Sequence, residues 1–96
     1  MKPKPQKLEE KYNRYEANLR KAFAQISSAT ATLSEEPREV IDLAFRYVED
    51  GKYFKEKGDL TTALISLSYA EGLLDTLRIL NIVSFTWVEK QVNERE

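Results

Sequence analysis

The sequence predicts an all-α protein, an up-down-up bundle of three long antiparallel helices. Three observations carry that prediction. Apolar residues recur at steps of three and four along most of the chain, which is the period of a helix face. Two strong breaks, Ser34-Glu35-Glu36-Pro37 and Lys57-Gly58-Asp59, divide the pattern into segments of similar length, and no β pattern competes. Segments of roughly 22 to 26 residues span about 33 to 39 Å at 1.5 Å per residue. Matched helices with tight connections pack antiparallel.

The chain opens with "MKPKPQK", two prolines among lysines. Residues 1–6 read as a flexible basic tail, which leaves 7–96 as one helical-bundle domain. Leu8, Tyr12, Tyr15, Leu19, Ala22, Ile26, Ala29 and Leu33 then form a heptad seam, the pattern of a long helix with coiled-coil-like packing. The small and β-branched "SSATAT" at the end of this run predicts that the helix frays or stops before Leu33. Ser34 is placed to cap a second helix with its hydroxyl. Glu35 and Glu36 suit the positive end of the dipole, and Pro37 is tolerated in the first turn.

The second helix carries Val40, Ile41, Ala44, Tyr47, Val48, Gly51 and Phe54 as its stripe. Gly51 inside it costs about 1 kcal/mol relative to alanine, which predicts a close contact with a neighbouring backbone. Gly58 ends that helix and Asp59 caps the next. The third helix has Leu60, Ala63, Leu64, Leu67, Ala70, Leu74 and Leu77 on one side, with Ile65, Leu73 and Leu80 on others. Being apolar around much of its circumference, it is expected to be the most buried. Asn81 suits its C-terminal end, and the T-x-x-E spacing of Thr86 and Glu89 allows a short fourth helix from Trp87.

Composition narrows the chemistry. The chain has no cysteine, which excludes disulfides and thiolate metal sites, and no histidine, the commonest general base and metal ligand. Walker-type glycine loops, nucleophile elbows and zinc spacings are absent, so no enzymatic activity and no cofactor are expected. No apolar run approaches the roughly 18 residues of a membrane span, and the expectation is a cytoplasmic protein with no membrane association. Residues 1–21 hold seven basic residues against three acidic ones, and residues 35–50 hold two basic against six acidic. The plain reading is that the two segments face each other. A nucleic-acid footprint usually belongs to a domain that is basic overall, whereas this chain has a net charge of −1.

The stretch from Gly51 to Asp75 resembles one tetratricopeptide unit at Gly51, Phe54, Gly58-Asp59, Leu60, Ala63, Leu67 and Ala70. No second copy follows about 34 residues away, and a solenoid needs several. The hairpin also resembles HEPN domains. Their active members cleave RNA with an arginine and a nearby histidine, which this histidine-free chain cannot supply. The pattern Tyr53-Phe54, Glu56-Lys57-Gly58-Asp59, Ala63, Tyr69-Ala70, Gly72-Leu73, Leu74-Asp75 resembles an archaeal family of small helical bundles, domain of unknown function 357. That resemblance implies an all-α bundle from an archaeal cytoplasm and assigns no activity.

Two sets of residues stand out as candidates. Leu8, Tyr12, Tyr15, Leu19 and Ile26 form a seam that could join two copies in a dimer. Tyr53, Glu56, Tyr69, Glu71 and Asp75 belong to the family pattern without an obvious packing duty. A chain of this size buries only about 60–65% of its unfolded surface, so association with a partner is a natural source of stability. The expectation is a non-enzymatic protein–protein interaction or assembly module that self-associates. One alternative is an RNA- or nucleotide-associated helper using the basic first helix, tested by charge reversal at Lys11, Arg14, Arg20 and Lys21. Another is small-ligand or Mg²⁺ binding near the break between helices two and three, using Glu71 and Asp75.

Overall fold

A computed structural model describes residues 5–87 of the chain, with side chains from residue 7 onward. Three helices account for most of it: α1 (Pro5–Thr30), α2 (Glu35–Glu56) and α3 (Leu60–Ile79). Tight connections turn each helix back on the last, giving the three-helix bundle that the periodicity predicts. The molecule measures 46 × 29 × 17 Å. It is flattened, because α3 packs extensively on α2 and also on α1, whereas α1 and α2 touch each other only lightly.

α1 begins at Pro5, inside the stretch read as a tail, and proline suits a first helical position because its missing N–H would have no partner there. It ends at Thr30. Before that point Ser27 donates to the carbonyl of Ala24, and Thr30 to that of Ile26. Such short hydroxyls compete for helix carbonyls. The seam therefore runs as a helical stripe only as far as Ile26. Ala29 is exposed and Leu33 lies in the connection.

Ser34 occupies the N-cap of α2 with extended backbone, but its hydroxyl makes no capping bond, contrary to the expectation. The Ser34 carbonyl instead accepts from Arg38 N–H, and Glu35 and Glu36 supply negative charge to the first turn. The other end behaves as the sequence requires. Gly58 adopts φ 85°, Gly58 N–H bonds the carbonyl of Lys55, and Asp59 N–H bonds that of Phe54, a Schellman pair. The Asp59 carboxylate then accepts from Thr62 N–H at 3.0 Å and starts α3. Thr62, through its side chain first and then through this N–H, holds the Asp59 carboxyl below the ordinary carboxylate range.

The core is one cluster that includes Tyr12, Leu19, Ala22 and Ile26 from α1, Ile41, Ala44 and Val48 from α2, and Ala63, Leu67, Ala70, Leu74 and Leu77 from α3. At Gly51 α2 and α3 approach closely. A Cβ at this position would lie 2.9 Å from Leu67 Cδ2 and 3.2 Å from the Ala63 carbonyl oxygen. The close backbone contact inferred from a mid-helix glycine is thus present, and small residues on both sides make it.

After α3 the chain turns through Asn81, at φ 63°, and a second Schellman pair forms, with Asn81 N–H on Arg78 O and Ile82 N–H on Leu77 O. Residues 82–87 then run as a strap. Val83 and Phe85 are buried while Ser84 and Thr86 face out. The Gln25 side chain grips the strap twice, donating to Thr86 O at 2.8 Å and accepting from Thr86 N–H at 3.0 Å. With its N–H engaged by Gln25, Thr86 opens no helix within the described residues. The remainder of the suggested fourth helix, including Glu89, lies outside them.

Candidate functional site

The two candidate sets occupy different environments. Within the seam, Tyr12, Leu19 and Ile26 are fully buried inside the chain, and Leu8 and Tyr15 are half-buried. The heptad pattern is therefore spent on the intramolecular core. The Tyr12 hydroxyl is buried without a hydrogen-bond partner in the structure, as is Asn18 Oδ1. Burial, and then the nearby Glu16 carboxylate, push the Tyr12 phenol well above its ordinary value. Around it, Arg20 pairs with Glu16 at 2.7 Å and with Glu49 at 3.2 Å, while the Lys55 ammonium lies 5.4 Å from the Tyr12 ring centre. Lys55 also reaches Asn13 at 3.0 Å and Glu9 at 3.9 Å. Part of the basic face of α1 thus meets α2 within the chain, while Lys7, Lys11 and Lys21 are exposed.

The second set is not drawn into one site. Tyr53 and Glu56 are exposed near the end of α2, where the Tyr53 ring meets Phe54 edge-on and Lys57 lies over it. Tyr69 and Glu71 are two residues apart, so they point to opposite sides of α3. On Glu71's side, Asp75 has a structural duty that sequence reasoning missed. Its Oδ1 accepts from Arg78 Nε and Nη2, at 3.1 and 3.0 Å, and from the Trp87 indole N–H at 3.0 Å. It ties the strap to α3. The signal was the alternation Val83, Phe85, Trp87, which reads as an extended segment with one buried face. Partial desolvation, and then Asp75, raise the Glu71 carboxyl above its ordinary value. No group of three or more ligating side chains that could hold a metal ion occurs among the described residues.

Tyr69 leads to a different feature. Its ring stacks on Tyr47 at 5.2 Å between centres, across the α2–α3 seam. Beside this pair lies a shallow open groove of about 360 Å³, lined by Leu43, Tyr47, Ser68, Tyr69, Gly72, Leu73 and Thr76. None of these side chains is charged, and none comes from α1. The apolar surface extends beyond the groove along α3, where Ile65, Tyr69 and Ile79 are 51%, 59% and 66% exposed. A helix apolar on all sides is normally enclosed, yet among the described residues one side of α3 is bare. Gly72 lies in the middle of that bare side. It costs about 1 kcal/mol relative to alanine, and among the described residues nothing beyond its neighbours in the helix comes within 4 Å of where its Cβ would sit. Gly51 has an internal reason to be glycine; among the described residues Gly72 has none.

The fold and surface define a small all-α module with an exposed apolar face. Among the described residues, no helix is long and apolar enough to cross a membrane. Residues 14–83, covering all of α2 and α3 and most of α1, match the family described as "Protein of unknown function (DUF357)", and the chain belongs to that family. No curated protein and no solved structure is similar enough to the chain to count as a match.

Proposed function

We propose that the chain is a non-enzymatic assembly module that pairs with a second copy of itself through the outer side of α2 and α3. The observation that carries this reading is the bare side of α3, with Ile65, Tyr69 and Ile79 more than half exposed beside an uncharged groove. Contiguous exposed apolar surface on a small soluble domain marks a contact site more often than scattered apolar residues do. A second copy suits it because a two-fold contact sets the same patch against itself. A charge near the two-fold axis would then face its like, and the groove lining carries none. A chain without histidine or cysteine also lacks the commonest catalytic groups.

The test is the mass in solution, by light scattering on the full chain across a wide concentration range. The reading expects the mass to rise from 11.1 kDa toward twice that value, and Tyr69→Glu to hold the chain at the lower mass while its helical circular dichroism stays intact. A chain that remains at the single-copy mass up to millimolar concentration would remove the proposal.

A further inference from the structure

We infer that residues 82–87 are a hinged strap that opens as one unit while the three-helix bundle stays folded, latched by Gln25 on Thr86 and by Asp75 on Trp87. The device lies on a different side of α3 from Tyr69 and does not depend on the assembly reading. Among the described residues, the strap adds only Val83 and Phe85 to the buried core, with Ile82 and Trp87 packed against it. Every other buried member of that cluster comes from α1, α2 or α3, so the helices keep a core of their own when the strap leaves. Segments that open locally are those with few buried apolar contacts and solvent-facing hydrogen bonds.

Opening strands no polar group at either latch. Both bonds between the Gln25 side chain and Thr86, at 2.8 and 3.0 Å, are exposed, so water takes over each partner. Asp75 Oδ1 loses the Trp87 indole N–H but keeps Arg78 Nε and Nη2, at 3.1 and 3.0 Å. The carboxylate therefore stays paired with its cation whether the strap is on or off. A buried group left without its hydrogen bond is what makes breaking such contacts costly, and neither latch leaves one.

The hinge is Asn81. Its φ of 63° lies in the left-handed region, which is unfavourable for a side chain with a Cβ even though asparagine tolerates it better than most. Two main-chain bonds hold the turn, Asn81 N–H on Arg78 O and Ile82 N–H on Leu77 O. Turning Asn81 to extended backbone relieves that strain, breaks the second bond and swings the strap away. Ile79 and Leu80 before it are 66% and 61% exposed and Asn81 is exposed, so the joint moves without displacing packed side chains. The latches grip the far end of the strap, where release of either frees the whole segment. Opening uncovers the apolar surface beneath Val83 and Phe85.

The experiment compares wild type, Gln25→Ala and Trp87→Phe as full chains, by amide hydrogen exchange and by acrylamide quenching of Trp87. Gln25 is exposed on α1, and alanine is the better helix former, so Gln25→Ala leaves the helix intact. In wild type, the Thr86 amide is expected to be at least about tenfold less protected than the amides of Leu67, Ala70 and Leu74, with little dependence on urea. Gln25→Ala is expected to raise the quenching of Trp87, whose own latch it does not touch, by about twofold while core protection is unchanged. Trp87→Phe is expected to speed exchange at Thr86 although Gln25 is still present. A Thr86 amide that exchanges only with the core amides, with their urea dependence, overturns the inference, because the strap then leaves only when the whole chain unfolds. Unchanged Trp87 quenching in Gln25→Ala overturns it too, since the two latches would then be separate contacts. So does a Gln25→Ala chain that loses its cooperative melt, which would make the strap part of the bundle.

Discussion

Replacing Gly51 by alanine sets two opposing effects against each other at one position. On propensity alone, alanine inside α2 gains about 1 kcal/mol over glycine. The new methyl, however, would sit 2.9 Å from Leu67 Cδ2, 3.2 Å from the Ala63 carbonyl oxygen and 3.4 Å from Leu67 Cγ. Leu67 is completely buried, so its side chain has no solvent-facing rotamer to escape into. The carbonyl belongs to α3's own backbone and moves only with the helix. Overpacking of this kind costs about 1–3 kcal/mol. The net expectation is a loss of up to about 2 kcal/mol, or roughly 8–16 °C in melting temperature at 4–8 °C per kcal/mol. Urea unfolding followed by circular dichroism reads it directly. A double-mutant cycle with Leu67→Ala sharpens the test, because removing Leu67's terminal methyls should recover about 1 kcal/mol of the Gly51→Ala penalty. A Gly51→Ala chain more stable than wild type, with no coupling to Leu67→Ala, would refute the close-approach account.

The remaining predictions concern the core, the strap and pH. Leu19→Glu places a charge at a site only 3% exposed. It should abolish cooperative folding, at a cost of at least about 4 kcal/mol; a folded variant that merely dissociates a dimer would show that the seam faces a partner. Asp75→Ala removes the acceptor shared by Arg78 and Trp87 and should cost about 1–2 kcal/mol. Because Trp87 is the only tryptophan, its emission should shift red as the strap loosens, and an unchanged spectrum would contradict the clamp. Glu71 titrates with its carboxyl raised in the fold, so its ionised form opposes folding. The penalty is absent below the unfolded-state value, grows between it and the folded one, and is complete above the folded one. Glu71→Gln should therefore unfold at higher urea than wild type at pH 7 and lose that advantage at pH 3; the reverse order would reject the sign.

Helix number, order and connections were legible because each rests on local chemistry. Gly58 and Asp59 specify a stop and a start whatever surrounds them, and the structure satisfies both within a few residues. Gly51 was legible as a close contact because a mid-helix glycine needs a reason. Ser34 was legible as an N-cap position but not in its bonding, since hydroxyl rotation is not written in sequence. The seam was legible as a buried stripe, but periodicity cannot say whether the burying partner is another helix of the same chain. Tyr12, Leu19 and Ile26 pack within this one.

The candidate set around the hairpin dispersed for the same reason. Sequence proximity put Tyr69, Glu71 and Asp75 together, whereas helical geometry sends Tyr69 toward Tyr47 and Asp75 toward Arg78 and Trp87. Asp75's role depends on a contact with the strap twelve residues on, which no local pattern reports. The bare side of α3 was half legible. Its all-round apolarity predicted burial, but which side stays open is decided by how α1 and α2 divide the other flanks.

The central claim is that the outer side of α3 is where two copies meet. Isotope-filtered nuclear Overhauser spectroscopy on a mixture of labelled and unlabelled full chains tests it most directly, because only contacts between copies give signal. The account predicts cross-copy contacts from the Tyr69 ring to methyl groups of Leu43, Leu73 and Thr76. No cross-copy signal at millimolar concentration, or signal confined to another face of the bundle, would contradict it.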